Sequence, residues 1–178
     1  MQDQPLVSII TPSFNQAAFL EQTLRSVLEQ DYPHLEYWVI DGGSTDGSVA
    51  IIKKYQDQLA GWVSEKDRGQ ADGINKGFAK ATGEIIGWLN SDDVYYPGAI
   101  RAAVEAFRAH PQAGFVFSDV ESIDGDGNAF NLMRYGDWKL DDLMAFNIIG
   151  QPGVFMRREV LEQAGFLDLS FNYLLDVQ

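Results

Sequence analysis

The chain has 178 residues, 46% apolar and 22% charged, which fits one globular domain around a single buried core and excludes a disordered chain. A formal net charge of -13 excludes the basic stripe that nucleic acid requires, so nucleic acid is not expected as a partner. The absence of cysteine excludes disulfides, thiolate metal sites and cysteine nucleophiles, and the surplus of carboxylates means that an anionic ligand needs a divalent cation or backbone N–H groups to be held.

Residues 1–5 are polar and lack the basic start and apolar stretch of a signal peptide, and no apolar run approaches the roughly 20 residues of a membrane span. This is compatible with a cytoplasmic location, including peripheral association with the inner face of a membrane. Residues 6–11 (LVSIIT) predict a buried strand, residues 12–15 a turn, and the chain then enters a helix to about residue 30 with Phe19, Leu20, Leu24, Val27 and Leu28 inward. Residues 37–40 predict a second strand ending at Asp41, followed by a Gly/Ser/Thr/Asp turn and a helix carrying Val49, Ile52 and Tyr55. A strand at 62–64 leads through Asp67, Arg68 and Gly69 to a helix with Ala71, Ile74, Phe78 and Ala81 inward, stopped near Gly83. Residues 84–89 are the next strand and 90–93 its polar exit. Residues 97–110 form a helix burying Ile100, Ala103, Val104 and Phe107, and 115–117 a further strand. Beyond residue 119 the pattern is less regular, with a hairpin tip at 124–128, a short helix at 140–146 and a strand at 154–156. The apolar segment 173–178 reads as a cut through an element, so a C-terminal region is expected to be missing.

Strands alternating with helices at this spacing imply parallel pairing, and the fold class is α/β. In such sheets ligands sit beyond the carboxyl ends of the strands, where four polar exits fall: residues 11–15, 41–46, 64–72 and 90–93.

Asp92 and Asp93 place two hard oxygen ligands at that rim, with no adjacent lysine or arginine. The pair suits Mg²⁺ or Mn²⁺, whose shell substrate phosphates would complete. On residue type alone, a turn with a helix N-cap is the more ordinary reading. Asp41 leads into Gly42-Gly43-Ser44-Thr45-Asp46-Gly47, where its carboxylate could accept from a base N–H or ribose hydroxyl, although these are also common turn formers and Asp46 is suited to cap the next helix. The loop lacks dinucleotide and P-loop spacing. Residues 124–128 fail as a calcium loop, since the sixth and twelfth loop positions are Ala129 and Tyr135. His34 and His110 read as surface residues, and no nucleophile elbow is present.

Together VSIITPSFN (7–15), VIDGGSTDGS (39–48), EKDRGQADGINKG (65–77) and ATGEIIGWLNSDDVYYP (81–97) closely resemble the family 2 glycosyltransferases, in the order and spacing of four blocks. The resemblance implies a GT-A-type, Rossmann-like, mostly parallel sheet flanked by helices, a nucleoside-diphosphate sugar as donor with UDP favoured, Mn²⁺ or Mg²⁺, transfer with inversion to a saccharide or lipid-linked acceptor, and a role in polysaccharide biosynthesis. It also implies a single domain, with residues 1–119 binding the donor and 120–178 beginning the acceptor side. The donor set carried over is Thr11, Pro12, Ser13, Asn15, Asp41, Gly43, Arg68, Gly69, Asp72, Asn75 and Asp92, with Asp41 as the base-recognising carboxylate, Asp93 the direct metal ligand and Asp92 toward ribose or metal. Asp176 stands where the family has its catalytic base, and Trp138 and residues 150–153 on the acceptor side. Two departures stand out: Asp72 lies near where many relatives carry arginine, and Asn90 where some begin the metal motif with aspartate. Two other classes remain open, a module that binds a sugar nucleotide without turning it over and a nucleotidyltransferase. The second should carry a basic, glycine-rich first loop, which residues 12–16 lack.

Overall fold

The computed structural model describes residues 4–136 and 149–170. The helix expected at 140–146, Trp138, and Asp176 with its flanking segment lie outside the described residues. Among the described residues no helix is long and apolar enough to cross a membrane.

Six strands form the main sheet. In chain order they are β1 (Val7–Ser13), β2 (Leu35–Asp41), β3 (Gly61–Ser64), β4 (Ile85–Trp88), β5 (Phe115–Val116) and, after the hairpin β6 (Val120–Ile123) and β7 (Ala129–Met133), β8 (Phe155–Arg157). The order across the sheet is β3-β2-β1-β4-β8-β5. β1, β2, β3 and β4 are mutually parallel, while β8 runs antiparallel to both neighbours. The crossover from β4 to β5 therefore leaves a one-strand gap, which β8 returns to fill. The sheet is mostly parallel α/β, as expected.

Alternation along β1 sorts the core into two layers. Val7 and Ile9 pack with Leu20, Leu24 and Val27 of α1 (Leu20–Leu28), Ile52 of α2 (Ser48–Tyr55) and Ile100, Val104 and Phe107 of α4 (Ala99–Ala109). Ile10 packs on the other face with Ile74 and Phe78 of α3 (Gln70–Phe78) and Leu161 of α5 (Arg158–Ala164). Covering both faces is what a parallel sheet needs, since its strands are apolar on both sides.

Two expected boundaries move. β1 runs on through Pro12 and Ser13 instead of turning at Pro12. The Ile10 carbonyl accepts from Leu89 N–H on the β4 side, so Pro12, two residues on, faces the same side, beyond the end of β4 where no N–H is needed. The first helix starts only at Leu20, which leaves Phe19 38% exposed instead of buried.

Candidate donor site at the carboxyl rim of the sheet

The carboxyl ends of β1, β2, β3 and β4 meet as one rim, and side-chain to backbone hydrogen bonds sew their loops together. Asn15, in the left-handed region at φ 54, donates its N–H to Ser44 Oγ at 2.8 Å and accepts from Thr45 N–H at 2.9 Å. Asp46 accepts from Ala17 N–H at 2.8 Å and from Ser48 N–H at 3.0 Å, so it starts α2 and ties the β1 exit to the β2 exit. These bonds, Ala17 N–H foremost, hold the Asp46 carboxyl below its ordinary range.

Asp41 is fully buried at the tip of β2. It accepts from Gly43 N–H at 3.1 Å, Ser44 N–H at 3.0 Å, Ser44 Oγ and, across from β3, Ser64 Oγ at 2.6 Å. The carboxylate thus organises its own loop, and Gly43 supplies the turn at φ 86 that a side chain would strain. Thr11 is also fully buried, its hydroxyl 2.8 Å from Tyr37 Oη, so it shapes the strand from beneath. Pro12 and Ser13 are buried at the end of β1, and Ser13 Oγ has no partner among the described residues. The next residue, Phe14, is 61% exposed, an aromatic face held in water at the rim.

Gly69 precedes α3, and Asp72 lies in its first turn. Asp72 accepts from Arg68 N–H and from the Arg68 guanidinium, each at 3.1 Å, with Lys76 Nζ at 3.6 Å. Burial opposes its charge, but the Arg68 bonds and the two cations outweigh that and hold the carboxyl below its ordinary range. Arg68 itself stays mostly exposed above the rim. Asn75 is not brought to the rim: its amide pairs with the Leu167 backbone, donating to the carbonyl at 2.8 Å and accepting from the N–H at 2.9 Å, which fastens α3 to the segment after α5.

Asp67 is a rim carboxylate that the sequence reading left unassigned. Its Oδ1 accepts from Gly69 N–H at 2.9 Å, while Oδ2 projects over Gly42 and Gly73, with no donor to it among the described residues. A Cβ at Gly42 would lie 2.6 Å from that oxygen, so with glycine there the Asp67 carboxylate occupies the space a side chain would take, and a larger residue would push it aside. The signal available in the sequence was a glycine pair directly after Asp41, which marks a place where something must come near the backbone.

At the β4 exit Asp92 is exposed and Asp93 half-buried. Burial, then the charge of Asp92, pushes the Asp93 carboxyl up to about 6, against one opposing hydrogen bond from Asn90 at 3.2 Å. Asn90 also accepts from Gln70 at 2.7 Å and reaches Gln151 at 3.3 Å, and Gln151 donates to the Trp88 carbonyl at 2.8 Å. Asparagine here thus links α3, β4 and the 151–153 turn to the acidic pair. The loop is fixed from below, where Thr23 of α1 donates to the Asp93 carbonyl at 2.8 Å. Among the described residues no three or more His, Cys, Asp or Glu side chains gather as a metal cage. Two adjacent carboxylates, one desolvated and with no cationic partner among the described residues, do fit an Mg²⁺ or Mn²⁺ ion that keeps most of its shell for phosphate and water.

The sequence from residue 8 to 163 matches the family described as Glycosyl transferase family 2. An uncharacterized glycosyltransferase of Mycobacterium tuberculosis is 42% identical over 163 residues, 90% of this chain and 55% of that protein. Among solved structures, the mannosyltransferase PcManGT from Pyrobaculum calidifontis in complex with GDP-Man and Mn²⁺ is similar with a TM-score of 0.73 at 27% identity, over 94% of this chain and 49% of that one. TarS 1–349 of S. aureus in complex with UDP shares the fold, with a TM-score of 0.79 at 20% identity over 97% of this chain and 53% of the other. The chain thus spans about half the length of these relatives. With its four-exit rim on a mostly parallel sheet and a match across residues 8–163, the chain belongs to glycosyl transferase family 2.

Proposed function

We propose that this chain is the donor-binding part of a metal-assisted glycosyltransferase that moves a sugar from a nucleoside-diphosphate sugar, preferentially a UDP-sugar, to an acceptor hydroxyl with inversion. The observation that carries the reading is Asp93, a desolvated carboxylate beside Asp92 with no cationic partner among the described residues, at the rim where ligands of open α/β sheets sit. Such a group is held at a cost to the fold unless a ligand neutralises it. PcManGT in complex with Mn²⁺ and GDP-Man supports a divalent metal and a sugar nucleotide in this family.

Asp93, with Asp92, would hold Mn²⁺ or Mg²⁺, which when bound offsets the charge of the departing diphosphate. Arg68 sits where it can swing from Asp72 to phosphate. Phe14 offers its exposed face to the base, and Asp67 Oδ2 accepts one ring N–H. Uracil presents a ring N–H to such an acceptor, whereas the ring nitrogens on the pairing edges of cytosine and adenine carry no hydrogen. This favours uridine. Asp176, outside the described residues, would take the acceptor proton as that oxygen attacks the anomeric carbon. The acceptor is proposed to be a saccharide or lipid-linked, with Gln151 and Pro152 at its side of the rim.

Melting curves with a panel of nucleoside diphosphates, with and without Mn²⁺, test the reading. UDP with Mn²⁺ is expected to raise the melting temperature, and each alone far less. No shift with any nucleotide and metal would remove the donor-site reading. Asp67→Ala is expected to weaken UDP binding by roughly 10- to 100-fold in calorimetry, the range of a charge-assisted hydrogen bond. Unchanged affinity would remove Asp67 from base recognition.

A further inference from the structure

Asn90 is tied to the acidic pair and to its surroundings through a chain of side-chain amides whose directions are fixed from both ends. The Trp88 carbonyl can only accept, so the amide nitrogen of Gln151 faces it at 2.8 Å and Gln151 Oε1 is turned toward Asn90. The Asp93 carboxylate also only accepts, so Asn90 presents its nitrogen there, with Nδ2 3.2 Å from Asp93 Oδ2 and 3.3 Å from Gln151 Oε1. Asn90 Oδ1 is left to accept from Gln70 Nε2 at 2.7 Å. Both amide protons and the amide oxygen of Asn90 are thus engaged, which holds its side chain in one orientation.

The consequence falls on Asp93. Its Oδ2 is held by Asn90, while no donor reaches Oδ1 among the described residues. The backbone of the same turn is fixed as well, since Asp93 N–H donates to the Asn90 carbonyl at 3.1 Å and Thr23 donates to the Asp93 carbonyl at 2.8 Å. A carboxylate with one oxygen already bonded meets a cation through the other, and the partner that holds it sets its aim. Ligation through one oxygen suits a small octahedral ion such as Mn²⁺ or Mg²⁺. Ca²⁺ is larger, takes roughly six to eight oxygens and gains from carboxylates that bind through both.

We infer that Asn90 is the positioning residue of the metal site: by occupying Asp93 Oδ2 it makes Asp93 a one-oxygen ligand and sets a preference for Mn²⁺ or Mg²⁺ over Ca²⁺. The inference rests on the metal reading of the acidic pair above and adds to it the choice of ion. Gln70 and Gln151 act at one remove, by keeping the Asn90 amide nitrogen turned toward the carboxylate.

The test follows the electron paramagnetic resonance signal of free Mn²⁺ as protein is added with UDP present, and then the return of that signal as Ca²⁺ displaces Mn²⁺; a titration of UDP without protein is subtracted. Wild type is expected to prefer Mn²⁺. Asn90→Ala leaves Oδ2 open and should weaken Mn²⁺ by roughly 10- to 100-fold, the usual worth of a residue that orients a metal ligand, while Ca²⁺ loses far less. The preference for Mn²⁺ over Ca²⁺ should therefore shrink by at least about tenfold. Asn90→Asp keeps the size of the side chain, takes away the donor and adds an oxygen, so it should move the preference further toward Ca²⁺ and serves as the test if the alanine variant does not fold. Disturbance of the turn alone would weaken both ions alike. Equal losses for both ions, an unchanged preference in the variants, or a wild type that favours Ca²⁺ would each overturn the inference and leave the metal reading standing. A wild type that binds neither ion with UDP present would remove the acidic pair as a metal site, and this inference with it.

Discussion

Replacing Asp93 by asparagine is expected to make the metal-free protein more stable at pH 7.5 and to abolish its response to Mn²⁺ and UDP. The Asp93 carboxyl titrates near 6 in the folded chain because burial and Asp92 disfavour its charge, whereas it titrates near about 3.9 when unfolded. The folded state therefore binds the proton more tightly, so the favourable contribution is present at low pH and is lost as pH rises from about 4 through about 6. The full displacement corresponds to about 3 kcal/mol, and roughly 1–2 kcal/mol is expected because the group still touches solvent. Asparagine carries no such loss, which predicts a gain of about 3–6 °C in melting temperature above pH 7 for a chain of this size. At pH 4 the two proteins should melt together. With Mn²⁺ and UDP the order reverses, since only wild type gains, and transfer activity should fall by at least about 100-fold in the variant. A helix cap predicts another pattern, with asparagine nearly neutral and metal without effect on either protein. That pattern would return Asp93 to a structural role.

The second large effect is expected at Asp41. Asp41→Ala removes the acceptor for Gly43 N–H, Ser44 N–H, Ser44 Oγ and Ser64 Oγ from a fully buried position. Each buried donor left unpaired costs about 1–3 kcal/mol before the loop relaxes, so a net loss of about 2–4 kcal/mol is expected in urea unfolding. Because Asn15 and Thr45 are anchored through the same loop, UDP binding should disappear together with the stability. Wild-type stability with lost UDP binding would mean that Asp41 contacts the nucleotide and does not organise the loop.

The difference in burial and bonding between these two aspartates was not readable from sequence, where both lie between a strand and the helix that follows it. Periodicity did give the layers: Ile74, Phe78 and Ala81, and Ile100, Ala103, Val104 and Phe107, are buried as their spacing implies. The parallel rim followed from the alternation of strands and helices. The antiparallel insertion of β8 did not, because three residues carry too short a pattern to fix a direction and the pairing spans the chain from residue 85 to 157. Pro12 read as a turn because its tolerance depends on where β4 stops, a fact of register. Asn75 sat within a motif at the rim, yet its amide serves Leu167, 92 residues away. Asp67 was passed over for the same reason, since its importance comes from the approach of the β3 exit to Gly42.

Under the proposed function, a cation at the acidic pair makes a diphosphate acceptable to a protein of net charge -13. An anomalous difference map from crystals grown with UDP and Mn²⁺ tests this most directly. The predicted result is one strong manganese peak within roughly 2.0–2.3 Å of an Asp93 carboxylate oxygen, with the diphosphate completing its shell. A diphosphate bound at the rim with manganese absent from the pair, or bound elsewhere on the molecule, would contradict it.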